Sequence, residues 1–301
     1  MKERTIVHWL VKKLHLKLSG VVGLVTSAWG GVHLFFIKPV VIPRLARSRL
    51  TSWACLPIEV FSMQALVAGF VVSIAASDLL AQRTTFLLGK RRDGSIDPVR
   101  YAMFLPYHIG LTTKLRLERS NVEDISETTG IDRARSESRR HDRSHEDPFN
   151  KITDGLYLGG WPADESLLPP PGKNGVAVCD VTCELPRRVM SIGAYTTVPV
   201  WDSHAPSPAA IESAVNWVVE KLDGGYAVLV HCAHGHGRSA VITGGVLRAL
   251  GEASTVEDAV ELMRKARPLV KMNARQLASL EDWEHQRYMS KRGKEKKNKV
   301  M

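Results

Sequence analysis

Ala227-Val228-Leu229-Val230-His231-Cys232-Ala233-His234-Gly235-His236-Gly237-Arg238-Ser239-Ala240-Val241-Ile242 is the stretch around which the rest of the chain is organised. An apolar run leads in as a buried strand would, and a helix-like run leads out. A glycine-containing turn therefore joins a strand to a helix. Such a turn gathers backbone N–H groups at a helix N-terminus, where the dipole favours negative charge. A cysteine placed there has its pKa lowered and sits as a thiolate. Cys232 and Arg238 bracket the turn, six positions apart. A thiolate inside an anion cradle implies phosphoryl transfer through a cysteinyl-phosphate.

The surrounding chain supplies the frame for that loop. Upstream, 152–159 reads as a short hairpin-like start, and Gly175–Val181 is nearly all apolar, as a strand buried on both faces would be. Thr196–Trp201 is a further short strand whose Pro199 argues for an edge. Ser207-Pro208 caps a helix with Ile211, Ala214, Val215, Val218, Val219 and Leu222 on its buried face, and Gly224-Gly225 stops it. Beyond the Cys232 loop a helix runs to about Leu250. Ser254 with Glu257 predicts a capping box, and Asn273 with Gln276 a second cap. Alternating strands and helices predict an α/β domain with a central, largely parallel sheet flanked by helices. The Cys232 loop lies at a strand's carboxyl end, where such sheets place ligands.

The N-terminal half has a different character. Residues 1–17 are basic, with apolar residues at helical spacing, and predict an amphipathic arm on a membrane surface; a transit peptide is the rival reading. Leu18–Ile37 carries no Asp, Glu, Lys or Arg, and neither does Val60–Ser77. Since about 20 apolar residues cross a hydrocarbon core, 18–81 reads as an α-helical membrane region with one or two transmembrane helices. Residues 82–118 are basic and mixed, with no assigned role. Residues 119–149, rich in Arg, Asp, Glu, Ser and His, read as a disordered charged linker. The catalytic domain is placed at 150–289 and a basic tail at 290–301.

A net charge of +10 favours anionic partners. No aromatic residues interleave the linker's charges, which argues against nucleic acid. The four cysteines, Cys55, Cys179, Cys183 and Cys232, form neither a disulfide framework nor a zinc pattern, and no metal or cofactor is implied. The thiolate requires a reducing compartment, so the catalytic domain is expected on the cytosolic or an equivalent side of the membrane. Oligomeric state is left open.

His231, Cys232, Gly235, Arg238 and Ser239 together match the His-Cys-x-x-Gly-x-x-Arg-Ser signature. On these residues, 150–289 resembles a dual-specificity phosphatase of the cysteine-dependent protein tyrosine phosphatase superfamily. The resemblance implies Cys232 as nucleophile, Arg238 as a bidentate phosphate ligand, and a cradle of backbone N–H groups from Ala233, His234, Gly235, His236, Gly237 and Arg238. Ser239 would hydrogen-bond the sulfur as it leaves, and His231 would fix the loop. It further implies an aspartate on a loop some thirty positions ahead of the cysteine. Asp202 stands there and is expected to be general acid, then general base. Asp180, inside an apolar strand, is the weaker competitor. Cys183, following that strand, is a candidate redox partner of Cys232 or simply a small packed residue.

Three readings of function follow. The first is a membrane-anchored protein phosphatase acting on phosphotyrosine and phosphoserine/threonine. The second is a phospholipid phosphatase acting on a phosphoinositide or phosphatidylglycerophosphate, against which His234 and His236 stand where lysine or arginine would pull harder. The third is an inactive phosphate-binding scaffold, which the intact Cys232, Arg238 and Asp202 oppose. RNA triphosphatase activity, known in a branch of the superfamily, is a minor alternative.

Overall fold

The computed structural model describes residues 18–42, 55–128 and 147–298. The basic arm, most of the loop after the first apolar run, and most of the charged linker lie outside the described residues. The chain divides into two compact units. One comprises residues up to Gly89 together with Ile96–Lys114. The other comprises Lys90–Ser95 and everything from Leu115 onward.

In the first unit, α1 (Leu18–Val32) continues in π geometry over His33–Val41, with Pro39 inside it. It packs on α2 (Cys55–Ala75). Small residues allow the approach: a side chain at Gly69 would strike Thr26, and one at Gly23 would touch Ser73. The buried polar pair Ser62 Oγ and His33 Nδ1 meets at 2.7 Å between the helices. Val22–Val41 and Leu56–Ala75 are each long and apolar enough to cross a membrane. Their apolar side chains face outward, Phe35 being 81% and Phe70 63% exposed. Asp97 caps α3 (Pro98–Met103) through the N–H groups of Val99 and Arg100. Helix α4 (Leu105–Thr128) follows. It carries helix into 119–128, which had been expected to be disordered. No glycine or proline interrupts 111–128, so nothing in that stretch stops propagation.

The second unit is built on a five-stranded sheet: β1 (Phe149–Thr153), β2 (Leu156–Gly159), β3 (Val176–Asp180), β4 (Ala194–Thr197) and β5 (Ala227–His231). The spatial order is β1-β2-β5-β3-β4. Only the β1–β2 hairpin is antiparallel; β2–β5, β5–β3 and β3–β4 are parallel. The architecture is the expected α/β one with a mostly parallel central sheet. β3 and β5 are buried along their whole length, which accounts for their nearly unbroken apolar sequence. β4 is an edge strand, and it ends before Pro199.

One face of the sheet carries the helices α5 (Pro208–Asp223), α6 (Arg238–Leu250), α7 (Val256–Ala266) and α8 (Ala274–Asn298). Leu156, Leu158, Val228 and Val230 pack there against Ile211, Val215, Val241, Ile242, Met263, Leu280 and Trp283. Val178 and Leu229, on the opposite face, pack with Tyr157, Leu168, Ile192 and Tyr195. Ser207 caps α5 by accepting from Ala210 N–H, and Gly251 ends α6 in the left-handed conformation. The capping box before α7 is Thr255 with Asp258, one residue later than Ser254 with Glu257. Either pair satisfies the spacing, and burial of Val256 and Ala259 decides which one sits at the helix start.

Candidate active site

The loop 232–237 leaves β5 at its carboxyl end and enters α6 at Arg238. Its conformation is enforced from outside. The carbonyls of Ala233, His234 and His236 accept from Trp161 N (3.2 Å), Arg267 Nη2 (2.8 Å) and Lys271 N (3.0 Å). With those carbonyls turned outward, the intervening N–H groups turn inward. Gly235 has φ +79°, and a Cβ there would come within 2.5 Å of the Gly159 backbone, so glycine is required twice over. Arg267 also donates to Asp147 O and Asn150 Oδ1, tying the start of the domain to the loop.

The cradle closes on the sulfur. Cys232 Sγ accepts from Gly235 N and Ser239 Oγ, each at 3.3 Å. Burial opposes ionisation of the thiol, but the Arg238 guanidinium and these hydrogen bonds outweigh it and hold the pKa below the ordinary thiol value. Alkylation of Cys232 by iodoacetamide is therefore expected to plateau at lower pH than that of a free thiol. Ser239→Ala should move the midpoint upward, and stopped-flow alkylation across a pH series reads both. An unchanged midpoint would remove Ser239 from this role.

Arg238 is 2% exposed and held by two carboxylates and a carbonyl. Its Nη1 donates to Glu184 (2.8 Å to Oε1, 3.0 Å to Oε2) and to Val200 O (2.8 Å). Its Nη2 lies 3.2 Å from Asp202 Oδ1. Burial works against its charge, yet Glu184 and Asp202 more than offset that and raise its pKa. Its buried Nε has no hydrogen-bond partner among the described residues. Nε and Nη2 therefore form a fork of the kind that suits two phosphate oxygens.

Asp202 is about half exposed, at 47% of its side chain. Its loop is pinned: Asn273 Nδ2 donates to Ser203 O (2.9 Å) and Gln276 Nε2 to His204 O (3.0 Å). Ser203 takes φ +65°, a left-handed conformation that needs such support. Asn273 and Gln276 cap each other at the start of α8 at 3.0 Å in both directions, so one motif fixes both the helix and the Asp202 loop. Asp202, Cys232, His234, His236, Gly237, Arg238 and Lys271 meet at one cavity of about 180 Å³.

The remaining sequence candidates lie around this centre. His231 is buried, with Nδ1 3.2 Å from Cys232 O and Nε2 3.8 Å from Asp180 Oδ2. Burial depresses its pKa, with Asp180 only partly offsetting this. Asp180 is fully buried, away from the cavity lining, and accepts from Thr182, Tyr195 and Lys90. Cys183 is fully buried, and burial followed by the Glu184 carboxylate pushes its thiol well up. A thiol so held is a poor attacker, which favours the packing role over the redox one. Sequence reasoning missed Glu184, Asn273 and Gln276 as supports of the site. A carboxylate directly after the strand-end Val181-Thr182-Cys183, on the side where ligands gather, was the available signal for Glu184.

Residues 156–286 match the family model of the dual specificity phosphatase catalytic domain. The second unit thus contains a catalytic domain of the dual specificity phosphatase type, in the cysteine-dependent protein tyrosine phosphatase superfamily, and the chain is an enzyme, a cysteine-dependent phosphatase. Among solved structures it is similar to human DUSP28, at 24% identity over 46% of this chain and 93% of that one, with a TM-score of 0.39. It is similar to PTPMT1 in complex with PI(5)P at 19% identity, over 48% of this chain and 99% of that one, TM-score 0.41. For Tk-PTP in its active form the values are 23%, 46%, 97% and 0.39. No curated protein sequence matches the chain.

Proposed function

We propose that the chain is a membrane-anchored dual-specificity protein phosphatase, hydrolysing phosphotyrosine and phosphoserine/threonine through a cysteinyl-phosphate. The observation that carries this is the convergence of Cys232 Sγ, the Arg238 fork and Asp202 on one small cavity. The thiolate attacks phosphorus in line while the P–O ester bond breaks, and Asp202 gives its proton to the departing oxygen. Asp202, now a carboxylate, takes a proton from water as that water attacks phosphorus. The S–P bond breaks, inorganic phosphate leaves, and Ser239 Oγ hydrogen-bonds the returning thiolate.

Anchoring is supported by the inside-out pattern of α1 and α2, with Ser62 and His33 buried between them and Phe35 and Phe70 outside. We infer the reducing side for the catalytic domain, because the proposed mechanism needs Cys232 as a thiolate.

A second reading, a phospholipid phosphatase, is favoured by Lys271 at the cavity, beside His234 and His236. A lysine there suits a substrate carrying further negative charge next to the reacting phosphate. The full chain in detergent micelles, offered phosphotyrosine, phosphoserine and phosphothreonine peptides, phosphoinositides and phosphatidylglycerophosphate, separates the two. Peptides are expected to exceed lipids in kcat/KM by more than about tenfold. The reverse order overturns the protein assignment in favour of the lipid one.

A further inference from the structure

Lys90 comes from a stretch to which no role could be given from sequence, and it lies outside the matched family region. The loop Lys90–Ser95 nevertheless belongs to the catalytic unit, although the residues on both sides of it belong to the other. It is a tight turn: Arg91 N donates to Ser95 O (2.8 Å), Gly94 N to Arg91 O (3.0 Å), and Ser95 N and Oγ to Asp93 Oδ1. The turn docks through Gly94, whose carbonyl accepts from Arg187 N (2.8 Å). With φ +82° and the Tyr195 ring 2.5 Å from where a Cβ would stand, only glycine fits there. Arg187 in turn lies over that same Tyr195 ring, at 5.0 Å.

This docking delivers one side chain to the interior. The Lys90 ammonium is fully buried and donates to Asp180 Oδ2 and to Thr182 Oγ1, the latter at 2.8 Å. Tyr195 Oη donates to the same carboxylate at 2.6 Å, and Thr182 N and Oγ1 donate to its other oxygen. The fourth neighbour is His231, the residue directly before the nucleophile, 3.8 Å away. A buried carboxylate needs a counter-charge, and removing one member of such a pair leaves the other stranded. Lys90 is the lysine or arginine paired with Asp180 among the described residues.

We propose that Lys90 is a positioning residue for the phosphate loop, acting through Asp180 on His231, and that the functional catalytic domain includes the Lys90–Ser95 loop. Lys90 holds the carboxylate ionised and in place, and so lets His231 remain a neutral ring anchored beneath Cys232. The groups facing His231 are Asp180 from β3, Lys90 from the loop, the Cys232 backbone and Arg238 from α6. Without the ammonium, the histidine meets an unopposed carboxylate and binds a proton more readily.

The test uses the full chain in detergent with Lys90→Met, Lys90→Arg and the double variant Lys90→Met with Asp180→Asn. Lys90→Met is expected to lower kcat for 4-nitrophenyl phosphate by about 10- to 100-fold. NMR of isotopically labelled histidine should show His231 titrating at higher pH than in the parent. Lys90→Arg should recover a substantial part of the loss, because the charge is kept. A folded Lys90→Met with parent kcat and parent His231 titration overturns the proposal. Should Lys90→Met fail to fold, the double variant carries the test: it is expected to fold without a stranded charge yet remain slow, and parent activity there overturns the proposal. The inference rests on the cysteinyl-phosphate reading for its rate assay alone; the histidine titration needs no turnover, so the two can fail separately.

Discussion

Cys232→Ser is expected to abolish hydrolysis of a small aryl phosphate, by on the order of 10⁴-fold or more, while phosphate binding survives. In the proposed route the sulfur forms the bond to phosphorus, and the environment that favours its ionisation is specific to a thiol. Gly235 N and Ser239 Oγ hydrogen bonds with the Arg238 charge bring a thiol below its ordinary pKa. A serine hydroxyl starts so much higher that the same groups leave it protonated and unreactive. The cradle itself is untouched, since the turn is held by Trp161, Arg267 and Lys271 from outside. Steady-state turnover together with calorimetric binding of inorganic phosphate reads the two halves. Retained turnover in the serine variant refutes the covalent route.

Asp202→Ala should slow the reaction by about 10²- to 10⁴-fold for alkyl phosphates such as phosphoserine peptides, and far less for 4-nitrophenyl phosphate. A nitrophenolate departs without help, whereas an alkoxide needs a proton as it leaves. We propose Asp202 for that task because, of the two candidate aspartates, it is the one that is half-exposed and at the cavity. Asp180 is buried behind the loop and committed to Lys90, Thr182 and Tyr195. Measuring kcat/KM across leaving groups of graded basicity gives the slope. An equal fall for every leaving group would take Asp202 out of the acid role.

What could be read from the sequence was local. The strand–turn–helix at 227–242, the Ser207-Pro208 helix start and the Asn273/Gln276 cap are each fixed by residues within a few positions of one another. The parallel arrangement followed from the alternation of these elements. What could not be read was pairing across long stretches of chain. Lys90 and Asp180 are 90 residues apart, and Arg238 and Glu184 are 54 apart. A lysine in a basic segment looks like any solvated lysine until the fold buries it. Asn273 and Gln276 were legible as a cap but not as the clamp on Ser203 and His204, because that clamp depends on α8 returning beside the Asp202 loop. The capping box at 255–258 was off by one residue because two overlapping sequences satisfy the same spacing.

The hold on Arg238 has a consequence for affinity. An arginine side chain carries about 2 kcal/mol of rotamer entropy, which a solvent-exposed guanidinium would surrender on gripping a ligand. Here Glu184 and the Val200 carbonyl have already frozen it during folding. An arriving phosphate therefore meets a stationary plane and loses only its own freedom of motion. On the proposed phosphatase reading, inorganic phosphate alone is expected to compete with far larger substrates.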